Sequence, residues 1–88
     1  MTSAATRRFW ELFQALPEDI QNLAVKNDRL WRQDPSHPLL RCRRLHGSED
    51  RFSIQTGDRH RAIATQTDET TIWVWIGAHS DYDRLVGF

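Results

Sequence analysis

Arg61, His79 and Tyr82 are the residues whose chemistry would matter most if the fold brings them together. Arg61 lies in "DRHRAI" (58–63), and His79 and Tyr82 lie in "GAHSDYDRL" (77–85). An arginine can grip a phosphate and stabilise the charge that develops in a transition state, and histidine and tyrosine can pass protons near neutral pH. Together they are suited to phosphodiester chemistry. An RNA substrate would bring its own nucleophile, the 2′-hydroxyl, so no protein nucleophile is required.

The charge around these residues is uneven. The chain is formally neutral, yet residues 36–61 hold Arg41, Arg43, Arg44, Arg51, Arg59 and Arg61 against three acids, a net +3, while residues 62–88 carry a net −3. Every cation in the middle segment is arginine, whose planar fork matches phosphate and carboxylate better than lysine does. A solvated strand face would account for the same run. Overall neutrality argues against strong non-specific nucleic-acid binding, which relies on a large positive field.

Other chemistries lack their signatures. There is no Gly-rich phosphate loop, no G-x-S-x-G, and no paired Cys/His spacing of a zinc site. Cys42 and His46 are two possible ligands at an uninformative spacing, and a thiol beside a turn histidine is the simpler reading. His37, between Ser36 and Pro38, reads as a loop residue. No metal and no cofactor are expected.

The elements that must position the candidate residues follow from periodicity. Phe9, Leu12, Phe13 and Leu16 fall on one helical stripe flanked by Trp10. Pro17, Glu18 and Asp19 start a second helix, which carries Ile20, Leu23, Ala24, Leu30 and Trp31 on one side. That helix should end by Asp34, because Pro35 forces its predecessor out of helical space. A break this short makes the pair an α-hairpin.

Beyond "DPSHP" the pattern changes to strands at 39–45, 51–56, 60–67 and 70–77, separated by turn residues. Gly57-Asp58 fits a two-residue hairpin connection. Strict alternation would put Ile72, Val74 and Ile76 on one face of the last strand and Trp73 and Trp75 on the other. With both faces apolar, this strand belongs inside the sheet. Gly77 would let the backbone turn out of the strand, and Asp81 and Asp83 would begin a short C-terminal helical turn. That turn packs Leu85 onto the core. Tyr82 either joins Leu85 there or joins His79 in a site. The expected fold class is α+β: an N-terminal α-hairpin packed on a four-stranded, mainly antiparallel sheet.

Size and composition agree with one domain over residues 1–88. A chain of 88 residues, 39% hydrophobic and 27% charged, can build one modest core. No apolar run approaches a membrane span. A single cysteine and the lack of an apolar leader segment point to a reducing cytoplasm.

Three stretches, "ALPEDIQNLAVKNDRLWRQDPSHPLLRCRRLHG", "RFSIQTGDRHRAIA" and "IWVWIGAHSDYDRL", resemble the RelE/ParE superfamily of toxins from bacterial type II toxin–antitoxin systems, in particular its RelE-like branch. The likeness runs from about Phe9 to Leu85. It implies an α-hairpin on an antiparallel sheet, a cognate antitoxin as partner, and metal-independent cleavage of messenger RNA in the ribosomal A site. Arg61 then matches the arginine of the family's "Y-R" strand position, with His60 where the family usually has tyrosine. His79 takes the basic or histidine position after the last strand, and Tyr82 the aromatic that follows. Arg41, Arg43 and Arg44 would contact RNA phosphates, and Arg59 and His60 complete the expected RNA-binding set. The ParE branch implies an alternative target, DNA gyrase, and a degenerate member would only bind protein.

Overall fold

The computed structural model describes residues 1–45, 47 and 50–86. Its two N-terminal helices form where the sequence places them. Helix α1 spans Arg7–Gln14. The Thr6 hydroxyl caps it by accepting the Phe9 amide at 3.2 Å, which satisfies one of the amides left open at a helix start. Helix α2 spans Glu18–Gln33 behind Pro17, with Glu18 and Asp19 in its first turn, and stops at Asp34.

Among the described residues the sheet has five strands, one more than expected. They are β1 (Thr2–Ala5), β2 (Arg43–Arg44), β3 (Arg51–Gln55), β4 (His60–Thr67) and β5 (Thr70–Ala78), in the spatial order β1-β5-β4-β3-β2. The added strand β1 pairs parallel to β5, Thr2 against Thr70 through Ala5 against Trp73, so the sheet is mixed. Thr-Ser-Ala-Ala shows no apolar alternation, so nothing local marks it as a strand; its backbone bonds to β5 define it. The remaining pairs are antiparallel. Strand β5 lies between β1 and β4, as its two apolar faces require.

Three details depart from the sequence expectation. The strand expected at 39–45 shrinks to Arg43–Arg44, and Pro38–Leu40 coils into a 3-10 turn whose first amide is accepted by His37 Nδ1 at 3.2 Å. The β3–β4 hairpin closes between Thr56 and His60, with the Thr56 amide donating to the His60 carbonyl at 2.8 Å. Its loop is therefore the three residues 57–59, with Gly57 at φ 75°. Last, a β-bulge interrupts the β4–β5 ladder: Ile63 pairs with Trp75 and Ala64 with Trp73, leaving Val74 as the extra residue.

That bulge separates the two tryptophans expected on one face. Trp73 turns toward the helices, where its indole N–H donates to Asp28 of α2 at 2.9 Å and its ring meets Phe52 edge-on. Trp75 turns to the opposite face. The helix-side core is built on Phe9, Trp31, Phe52, Ile54, Trp73 and Ile76, all buried. Trp31 stacks on Phe52 with ring centroids 4.3 Å apart and donates its indole N–H to Thr71 Oγ1 at 2.8 Å. The buried indole thus keeps a polar partner.

The second sheet face is covered at one end by α3 (His79–Val86), a full eight-residue helix that follows β5 without a break. Tyr82 is its buried residue, at 1% exposure, whereas Leu85 is 57% exposed and does not enter the core as expected. No described helix is long and apolar enough to cross a membrane.

Candidate active site

Strand β4 delivers Arg61 to the α3 side of the sheet, and the fold then encloses it. Only 4% of Arg61 is exposed. Its Nε–H donates to Ser53 Oγ at 3.2 Å, and its Nη2 donates to Ser53 Oγ at 3.0 Å and to the Arg41 carbonyl at 2.9 Å. The Tyr82 hydroxyl lies 2.8 Å from the same Ser53 oxygen, and the Tyr82 ring lies under the guanidinium, 5.2 Å from centroid to Cζ. A hydroxyl has two acceptor sites and one donor. With both Ser53 acceptor sites taken by Arg61, the Ser53 O–H donates to Tyr82. The guanidinium is thereby fixed on three sides while Nη1 keeps no hydrogen-bond partner among the described residues.

Two neighbouring backbone features contribute. Arg41 sits at φ 45°, a left-handed conformation that a residue with a side chain adopts at a cost. This turn ends the 3-10 segment, and the Arg41 carbonyl accepts from Arg61. Gly77 pairs with Arg61 across the ladder, and a Cβ there would come within 2.7 and 2.9 Å of the Trp75 ring. Gly77 thus makes room for Trp75, whose ring sits 6.4 Å from that of Tyr82; β5 itself runs on to Ala78.

The open side of Arg61 faces a pocket of about 260 Å³ lined by Arg41, Arg43, Gln55, Asp58, His60, Arg61 and His79. Five residues singled out in the sequence, Arg41, Arg43, His60, Arg61 and His79, are therefore neighbours in space. His79 is the first residue of α3, and its amide donates to the Arg59 carbonyl at 2.7 Å. Its ring stacks on Tyr82 at 5.9 Å, and Nε2 lies 3.6 Å from Asp83 Oδ2. His60 leaves the opposite face of β4, but at the strand's first residue, so it borders the pocket from its rim. Burial pushes the Arg61 guanidinium below its ordinary value; Tyr82 offsets part of this and Arg43 adds to it. Arginine remains charged at any physiological pH, so the pocket carries a fixed cation.

The other candidates lie elsewhere. Arg44 points away, into a cavity of about 400 Å³ shared with Trp31, Cys42, Asp50 and Gln66. Arg59 lines a separate depression beside Asp19, Ile20 and Leu23 of α2. Tyr82 underlies the site and does not line its pocket. A larger cavity of about 530 Å³ lies between β5 and α3, with Ile63, Val74, Trp75 and Leu85 among its residues and Arg51 as its one charged member among the described residues. Cys42 is exposed, and partial burial of its thiol pushes its pKa up against the lowering effect of Arg44 and Arg61. His46, its possible partner at a metal, lies outside the described residues. Among those described, no three His, Cys, Asp or Glu side chains converge to hold a metal ion.

Sequence reading missed Ser53, Gln55 and Asp58. Ser53 left one trace: a lone hydroxyl between Phe52 and Ile54 in a strand, where alternation puts it on the face that carries Arg61.

No protein-family model matches the sequence, and no curated protein sequence does. Solved structures do match. A chain of the RelB–RelE antitoxin–toxin complex from Methanococcus jannaschii superposes with a TM-score of 0.75 at 17% identity, over 92% of this chain and 96% of that one. A chain of the RelE–RelB complex from Pyrococcus horikoshii gives 0.73 at 15% identity, over 88% and 92%. A chain of the DinJ–YafQ toxin–antitoxin complex from E. coli gives 0.76 at 13%, over 90% and 92%. Identities this low show the fold alone, and that fold is the one this chain shares with these solved structures.

Proposed function

We propose that this chain is the toxin of a toxin–antitoxin pair and cuts messenger RNA on the ribosome without a metal, in the cytoplasm, until a cognate antitoxin covers it. One observation carries the reading: Arg41, Arg43, His60, Arg61 and His79 surround a single pocket with a locked arginine at its base. Three guanidinium groups bind the scissile phosphate and its neighbours. Arg61 is held before the substrate arrives, so it stabilises the pentacoordinate phosphorane without reorganising. Histidines at the rim serve proton transfer. The solved neighbours, which include RelE with RelB and YafQ with DinJ, support an antitoxin as the partner.

The test is a cell-free translation reaction with purified protein, in which messenger 5′ ends are mapped. New ends should require ribosomes and should fall about 100-fold or more with Arg61→Ala or Arg61→Lys, since lysine cannot reproduce the fork. Intact messenger with folded protein refutes the reading. Stalled supercoiling in cells whose growth the protein arrests would point to gyrase instead.

A further inference from the structure

Resting on the RNase reading, we infer that His60 is a catalytic residue, the general base that partners His79 as general acid. Acid–base cleavage of RNA needs two proton carriers at the phosphate. Tyr82 is excluded as the second: it is 1% exposed, its hydroxyl is engaged with Ser53, and its ring lies beneath Arg61. Two histidines and one carboxylate, Asp58, remain in the pocket, and imidazole is the group that both takes and gives a proton near neutral pH. The two histidines are brought together by the ladder, because His60 pairs with Ala78 and His79 is the next residue, tied through its amide to the Arg59 carbonyl. Arg61 stands between them in sequence and at the base of the same pocket.

The two rings differ in surroundings, and the difference assigns their roles. His79 has a carboxylate, Asp83, 3.6 Å from Nε2, a ready counter-ion for an imidazolium. His60 has no carboxylate in ion-pair contact among the described residues, and its Nδ1 is buried without any hydrogen-bond partner. To accept a proton at Nε2, the neutral His60 ring carries its own hydrogen on Nδ1. In the step itself, His60 Nε2 takes the proton of the substrate's 2′-hydroxyl, and that oxygen bonds to phosphorus. The P–O5′ bond breaks, and the 5′-oxygen leaves with the proton from His79. The products are a 2′,3′-cyclic phosphate and a 5′-hydroxyl, with the two histidines exchanging protonation states through water afterwards. Atoms and charge balance without any co-reactant.

The experiment is single-turnover cleavage of ribosome-bound messenger by the full chain, using two substrates: ordinary RNA, and RNA with a bridging 5′-sulfur at the scissile bond. A thiolate leaves without being protonated, so the sulfur substrate relieves the need for an acid alone. His79→Ala should slow ordinary RNA about 100-fold or more and recover to within about 10-fold of the wild-type chain on the sulfur substrate. His60→Ala and His60→Asn should be slow on both. Thermal melting confirms that each variant is folded, and His60→Asn keeps a polar side chain on the hairpin. Wild-type cleavage with folded His60→Ala and His60→Asn equally fast overturns the assignment alone; so does recovery of the His60 variants by sulfur. A wild-type chain that leaves messenger intact overturns the RNase reading and this assignment together.

Discussion

Tyr82→Phe isolates the device that holds Arg61. The substitution keeps the ring under the guanidinium and deletes one oxygen, 2.8 Å from Ser53 Oγ in a fully buried position. Ser53 accepts two bonds from Arg61, so its own O–H loses its acceptor. An unsatisfied buried donor costs about 1–3 kcal/mol, and we expect about 1.5. In a domain of this size each kcal/mol moves the melting temperature by about 4–8 °C, which puts the drop near 6–12 °C. Ser53→Ala removes the Tyr82 bond and both bonds to the Arg61 side-chain nitrogens, and should cost about 2–4 kcal/mol. Once Ser53 is alanine, the Tyr82 hydroxyl has little left to lose. The double variant should then fall short of the sum by about 1 kcal/mol. Calorimetric melts of the four proteins measure this directly. A Tyr82→Phe shift below about 1 °C, or strict additivity in the cycle, refutes the arrangement in which Tyr82 positions Arg61 through Ser53.

Gly77→Ala drives a methyl group to within 2.7 Å of the Trp75 ring, so it should cost about 1–3 kcal/mol and shift tryptophan fluorescence, with an unchanged spectrum and melt as the contrary result. Cys42 is exposed, yet its thiol pKa is raised, which leaves less thiolate at neutral pH. Iodoacetamide should therefore label it more slowly at pH 7 than a free thiol, with the rate rising along a curve displaced to higher pH; faster labelling than free cysteine contradicts this.

How much could be read beforehand depended on whether the signal was local. Helices α1 and α2 announced themselves through apolar spacing and through Pro17, and strands β4 and β5 through β-branched and aromatic runs. Five pocket residues were legible because arginine and histidine side chains carry phosphate-binding and proton-transfer chemistry, although arginine is the commonest residue of the chain. Strand β1 was illegible because Thr-Ser-Ala-Ala has no pattern and its partner lies almost seventy residues away. The bulge at Val74 was hidden because an extra residue changes facing without changing composition. Arg44 and Arg43 are indistinguishable by type; their opposite directions follow only from the pairing of β2 with β3. Tyr82 could be assigned to the core or to the site; it is buried, and from beneath the site it supports Arg61.

The parallel pairing of β1 with β5 also has a bearing on how the chain folds. The segment at Thr2–Ala5 must wait for Thr70–Trp73 before it has a place, and contacts so distant along a chain form late. Until they form, β5 is an open edge: a row of unpaired amides and carbonyls along a strand that carries Ile72, Trp73, Val74 and Trp75. Such an edge is a template on which a second chain can pair and aggregate. Once β1 docks, the outermost strand on that side becomes a short run of threonine, serine and alanine, with little to attract a neighbour. Four small residues, of which Ala5 packs against the core, thereby decide whether the most apolar strand of the molecule meets its own chain or another.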